Sequence, residues 1–159
     1  MATNALLLIG GVLIGMVIMG LVVWFTMPSL MLIKHRSMRG YDEALAILND
    51  SLQKKQDWLL VMVNDYQERT ANFGAIERVC SVNVGNLRYA SEILNDDANR
   101  GVTAFMPLAI GVYEDKKGQV FVSQLNIGLL GMMFGGTIAK VMKMAGKDIK
   151  EVVASMVTK

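Results

Sequence analysis

From Ala5 to Thr26 the chain reads ALLLIGGVLIGMVIMGLVVWFT without one charged residue. As a helix this run is roughly 33 Å long, which matches a hydrocarbon core of about 30 Å. Trp24 suits a membrane interface at its far end, and Pro28 is expected to end the helix. A cleavable signal peptide is the competing reading. Against it, no Lys or Arg precedes the run, the run exceeds the ~7–15 apolar residues of a signal core, and no small-x-small cleavage site follows. Residues 1–29 are therefore expected to be a retained transmembrane anchor and residues 30–159 an α+β domain. Gly11 and Gly15 have the GxxxG spacing that lets two membrane helices approach closely, so self-association through this helix is expected.

Beyond the anchor the periodicity changes. LMLIKHRS (30–37) reads as a first strand. In GYDEALAILNDSLQKK, Ala44, Leu45, Leu48 and Leu52 share one helical face, with Asp42 and Glu43 in the first turn and Lys54 and Lys55 in the last. DWLLVMVN (57–64) is short and continuously apolar, as a buried central strand would be, and DYQERTANFG is a loop or a helical turn. AIERVCSV (75–82) reads as the next strand and NLRYASEILNDDA as a helix capped by Asn83 or Asn86. LAIGVYEDKKGQVFVSQL is a hairpin, with Gly118 supplying the positive φ of its turn. From Thr137 to Val157, Ile138, Val141, Met142, Ala145, Ile149, Val152, Val153 and Met156 recur at the three-and-four spacing of a long helix. The order β-α-β-β-α-β-β-α, with hairpin-linked strands, predicts an α+β fold whose sheet is mostly antiparallel and packed with helices.

Charge sets the orientation. No charged side chain precedes the apolar run, whereas Lys34, Arg36 and Arg39 follow it closely, so the positive-inside rule puts the domain in the cytoplasm and the N-terminus outside a single-pass inner (cytoplasmic) membrane protein. A net charge of +2 is too small to suggest nucleic acid. On the last helix Lys140, Lys143, Lys147 and Lys150 form a basic line that is either a solvated face or, with Trp24, Lys34, Arg36 and Arg39, a surface for an anionic leaflet.

Cys80 is the only cysteine and His35 the only histidine, which leaves no disulfide and no zinc-type cluster. Placed about three to six residues before a helix, Cys80 could have its thiolate favoured by the helix N-terminus. Flanking valines favour a buried, packed role instead. In NIGLLGMMFGGTIAK, four glycines precede a helix, a setting in which backbone N–H groups can face an anion. Asn126, Gly131, Gly135, Gly136 and Lys140 are its candidate ligand-binding residues, although the spacing fits neither a Walker loop nor GxGxxG. Met132, Met133 and Phe134 either line an apolar pocket or partner groove, or fill core gaps. His35 as a metal ligand lacks companions at ligating spacing and reads as an interfacial polar residue.

The stretch from Glu77 to Met142 resembles the domain of unknown function 302 family. The matching positions are Cys80, Ala90, Pro107, Val112, Tyr113, Glu114, Asn126, Gly128, Gly135 and Gly136, with a weaker match around HRSMRGYDEALAILNDSLQKKQDW. The resemblance implies a small α+β domain, sometimes membrane-anchored, without an established common reaction. Many members have Met-Pro-Cys-Arg where this chain has MPLA, so Leu108 and Ala109 stand in place of a second cysteine and an arginine. A two-thiol cycle within one chain is thereby ruled out.

The leading expectation is a membrane-anchored, cytoplasm-facing, non-catalytic binding or accessory module that acts through a ligand or protein partner and forms oligomers. The alternatives are a single-thiol sulfur carrier or redox protein using Cys80 and, more weakly, a protein binding haem or another apolar cofactor.

Overall fold

The computed structural model describes residues 2–157, with the side chains of the first helix described from Ile9 onward. The expected anchor (1–29) and domain (30–159) include residues 1, 158 and 159, which lie outside the described residues. The chain divides into two compact units, Met1–Met31 and Leu32–Lys159.

The first unit is α1 (Ala2–Met31), within which Ile9–Met31 is long and apolar enough to cross a membrane. Pro28 does not end it, contrary to expectation: the helix runs on to Met31. A proline so close to a C-terminus removes only one ladder bond. The surrounding turn gains hydroxyl bonds, from Thr26 Oγ1 to the Val22 carbonyl at 2.8 Å and from Ser29 Oγ to the Thr26 carbonyl at 3.1 Å. Because α1 continues, the first strand begins two residues later than its apolar start suggested.

The second unit is α+β. In chain order it runs β1 (Leu32–Arg36), α2 (Tyr41–Gln53), β2 (Trp58–Asp65), α3 (Tyr66–Arg69) and β3 (Val79–Asn86). It continues through α4 (Leu87–Leu94), a 3-10 segment (Asp97–Phe105), β4 (Leu108–Glu114), β5 (Val120–Leu125), α5 (Ile127–Gly131) and α6 (Gly136–Val157). Among the described residues five strands form one antiparallel sheet in the order β1-β5-β4-β3-β2, so β2, expected as a buried central strand, lies at the edge with Leu60, Val61, Met62 and Val63 exposed. The α3 turn, the 3-10 segment and α5 extend the expected order.

Alternation decides the sheet's two faces. Cys80, Val82, Val84 and Asn86 on β3, Ile110 and Val112 on β4, and Val120, Val122 and Gln124 on β5 all point to the side covered by α2 and α6. The apolar stripe of α6 is buried along its whole expected length, from Ile138 to Met156. Each buried Val, Leu or Ile of this core contributes about 1.5–3 kcal/mol relative to exposure. Ser37 Oγ donates to the Met156 carbonyl at 2.8 Å, fixing the exit of β1 to the end of α6. On the opposite face Tyr113 and Phe121 stack, with the Lys34 ammonium 4.2 Å from the Phe121 centroid.

Strand β3 corrects the sequence reading. It starts at Val79 and ends at Asn86, four residues later at each end than the apolar run AIERVCSV implied. The deciding pattern is the strict alternation of VCSVNVGN, which places Asn86 inward and lets its Oδ1 accept the Tyr89 N–H at 3.0 Å as the cap of α4. In the β4–β5 hairpin Gly118 adopts φ 71°, as expected. Asp115 Oδ1 accepts the Lys117 and Gln119 N–H groups at 2.9 Å there.

Candidate functional site

A cavity of about 390 Å³ opens where the ends of β2, β3 and β4 meet α4, the 3-10 segment and α6. Its walls are hydrocarbon, with Val84, Ile93, Val102, Met142 and Ala145 inside and exposed Leu87 and Phe105 at its edge. The amphipathic sequence LRYASEIL places Tyr89, Ala90, Ile93 and Leu94 toward it, and the apolar stripe of α6 supplies the facing wall. Size and lining are those of a small-molecule site that holds its ligand by apolar contact.

Beside this cavity lies a polar cluster whose members no spacing along the chain brings together. Asp148 Oδ2 accepts both the Trp58 indole N–H and the Tyr89 hydroxyl at 3.0 Å. Lys55, just past α2, donates to Asp148 Oδ1 at 3.3 Å and to Glu151 at 2.7 Å. The Trp58 and Tyr89 rings meet edge to face at 6.1 Å and separate the cluster from the cavity. Hydrogen bonding to Glu151 raises the Lys55 pKa, so its charge is retained. Burial raises the Tyr89 pKa, and the bond to Asp148 adds to the effect.

Cys80 lies near the start of β3, 1% exposed, facing α2. The lesser of the two sequence readings, a thiolate favoured by the N-terminus of the helix that follows, does not hold for α4. Leu87, where α4 begins, is seven residues further along an extended strand, roughly 23 Å away, whereas a helix end acts over about one turn. Burial pushes the thiol pKa up, and a hydrogen bond with the Tyr41 phenol only partly opposes that. Arg78 lies over the Tyr41 ring, 4.0 Å from its centroid, and donates to both carboxylate oxygens of Asp42.

The model of the domain of unknown function DUF302 matches residues 33–156. The chain belongs to the DUF302 family. The fold agrees with a crystal structure described as an uncharacterized conserved protein DUF302 from Bacillus stearothermophilus: the TM-score is 0.70 at 18% identity, covering 80% of this chain and 99% of that one. Among curated proteins no match is found.

Of the positions that carry the family resemblance, Cys80 and Val112 are neighbours across the β3–β4 ladder in this DUF302 domain. Pro107 and Ala90 line the apolar cavity. The glycine-rich turn, by contrast, is not assembled around a common cavity. Asn126 Oδ1 caps α5 by accepting the Leu129 N–H at 3.2 Å. Gly131 is buried against Met142. Gly135 and Gly136 turn the chain into α6 with φ 73° and 54°, and Lys140 pairs with Glu92 at 2.9 Å. Met132 and Met133 are 76% and 75% exposed, while Phe134 meets Phe105 edge to face at 5.8 Å, next to the cavity's edge.

The membrane-surface candidates of the second unit are spread over several of its elements. Trp24 is exposed on α1, Lys34 covers the Phe121 ring, Arg36 ends β1, and Arg39 pairs with Glu43 at 2.9 Å. Lys143, Lys147 and Lys150 share one exposed face of α6. Gly11 and Gly15 are exposed on α1, where a Cβ added at either would meet no described atom within 4 Å outside the adjoining helix backbone.

Proposed function

We propose that this DUF302 protein is a membrane-anchored, cytoplasm-facing binding module that carries an apolar ligand in the cavity between the sheet, α4 and α6. The observation that carries the reading is the hydrocarbon-lined space of about 390 Å³. Protein interiors hold few voids larger than a water molecule, so an apolar space of this size supports a ligand. The length and apolarity of Ile9–Met31 support the anchor, and the basic residues that follow support the cytoplasmic side. Gly11 and Gly15 support pairing of two such helices.

The test uses the full chain purified into nanodiscs of one synthetic lipid. Denaturation and organic extraction should release an apolar compound that was not supplied. Ala90→Trp, which puts an indole into the cavity, should abolish it while leaving the helical circular dichroism signal unchanged. Equal amounts of released compound from both proteins would overturn the reading. Protease protection in sealed inverted vesicles tests the orientation, because a cytoplasmic domain is digested there.

The single-thiol alternative rests on Cys80. Its burial and raised pKa support packing rather than nucleophilic chemistry. An alkylation rate in the folded protein close to that of the urea-unfolded chain would reverse that preference.

A further inference from the structure

The two edges of the sheet are built differently. Strand β1 is five residues long and carries Lys34, His35 and Arg36, and a short, charged edge resists pairing with another chain. Strand β2 is eight residues long and has neither charge nor proline from Trp58 to Asn64. Val61 and Met62 at its middle are 49% and 45% exposed. Among the described residues no strand pairs with the far side of β2, which therefore presents a row of backbone N–H and C=O groups between apolar side chains. Such a row takes another extended strand.

The bulge in β2 says which strand. Trp58, Leu60, Val63 and Asp65 lie opposite the core-facing Asn86, Val84, Val82 and Cys80 of β3, whereas Leu59, Met62 and Asn64 lie opposite Gly85, Asn83 and Ser81 on the other face. Val61 is the extra residue, without a partner on β3. An unbulged strand of eight has its two ends on opposite faces, so pairing over its full length with its own copy mismatches every side chain. The bulge makes the pattern of faces read alike in both directions. A two-fold axis between Val61 and Met62 sets Trp58 against Asp65 of a second copy, Leu59 against Asn64 and Leu60 against Val63, each pair on one face and none joining like charges.

We propose that two copies of this chain pair antiparallel through β2 about that axis, joining their sheets into one. Leu59 and Val61 also line the apolar cavity, so the second strand runs along one of that cavity's walls. Eight residues a side fall short of the roughly 20–30 of a standard interface. The pairing is therefore one of copies held in a shared bilayer, where tethering raises their effective concentration; in this it rests on the anchor of the proposed function.

The test is oxidative cross-linking of the full chain in phosphatidylcholine vesicles. Cys80 is 1% exposed, so the unsubstituted chain is the blank. Leu60→Cys and Val63→Cys together should give a disulfide-linked dimer. Either alone should stay at the blank level, because three residues, about 10 Å, separate each from its own copy. Lys34→Cys, on the charged edge, should also stay there. Adding Val61→Lys to the double-cysteine chain should abolish the dimer without changing the circular dichroism signal, and adding Met62→Glu as well should restore it, since each lysine then faces a glutamate. Equal linkage in the single- and double-cysteine chains marks random collision and overturns the pairing, as does a Val61→Lys effect that Met62→Glu does not reverse. Absence of linkage in chain that resists carbonate extraction overturns it too, whereas chain that carbonate removes from the vesicles overturns the anchor on which it rests. Organic extraction reads the cavity alone, so the apolar-ligand reading stands or falls separately.

Discussion

The indole N–H of Trp58, at the first position of β2, donates to Asp148 of α6 at 3.0 Å, tying a sheet edge to a helix ninety residues away in sequence. The same carboxylate oxygen accepts the Tyr89 hydroxyl, so one acidic side chain joins the sheet, α4 and α6 beside the apolar cavity.

Asp148→Ala leaves the Trp58 and Tyr89 donors without their acceptor. We expect a loss of about 1–3 kcal/mol, the usual cost of stranding buried donors. Asp148→Asn keeps one acceptor oxygen and should lose less. Urea titration of the full chain in nanodiscs, followed by Trp58 fluorescence against the signal of a Trp24→Phe background, measures both.

Alkaline pH should weaken the domain. Burial pushes the Tyr41 pKa well above its usual range, and its hydrogen bond with the Cys80 thiol adds to this. The unfolded phenol ionises near pH 10, whereas the folded one keeps its proton. Stability from this group is therefore complete below about pH 10 and is lost as pH rises toward the folded pKa. In Tyr41→Phe the decline of the urea midpoint above that pH should be shallower. What remains belongs in part to Tyr89, which shifts the same way.

Acid pH acts on a different pair. Hydrogen bonds from Arg78 hold the Asp42 carboxyl below the ordinary carboxylate range. The contribution is present above the unfolded carboxyl pKa, about 4, and is lost as pH falls through the folded value. Asp42 is largely exposed, so the effect is small and weakens with salt. Arg78→Ala also removes the guanidinium from the Tyr41 ring and should cost more than Asp42→Asn, as thermal unfolding at neutral pH will measure.

Helix α5 has no room for added carbon. A Cβ on Gly131 would lie 2.6 Å from the Met142 Cβ, and one on Gly146 would lie 3.1 Å from the backbone nitrogen of Gly128. Gly131→Ala and Gly146→Ala should each destabilise by about 1–3 kcal/mol, as overpacking does. Gly101→Ala, at a position with nothing within 4 Å, is the control.

Periodicity carried the main frame into the sequence. The α6 stripe, the α2 face and the Gly118 hairpin were all legible because each is a local pattern repeated over several residues. Strand β3 lies four residues beyond the apolar run AIERVCSV because the alternation of VCSVNVGN decides which residues face the core, and this puts Cys80 near the start of the strand and not near its end. The short α5 and the 3-10 segment have too few turns to establish a period. Asp148 and Gln124 could not have been singled out by spacing. Their surroundings depend on which strands lie side by side, and β1 pairs with β5 across most of the domain's length.

Helix α6 walls the apolar cavity through Met142 and Ala145, while Lys143 and Lys147 lie on its exposed side. Because Gly146 presses it against the Gly128 backbone, the helix has little slack at its middle. An occupant of the apolar cavity therefore meets, on the α6 side, a wall that yields little.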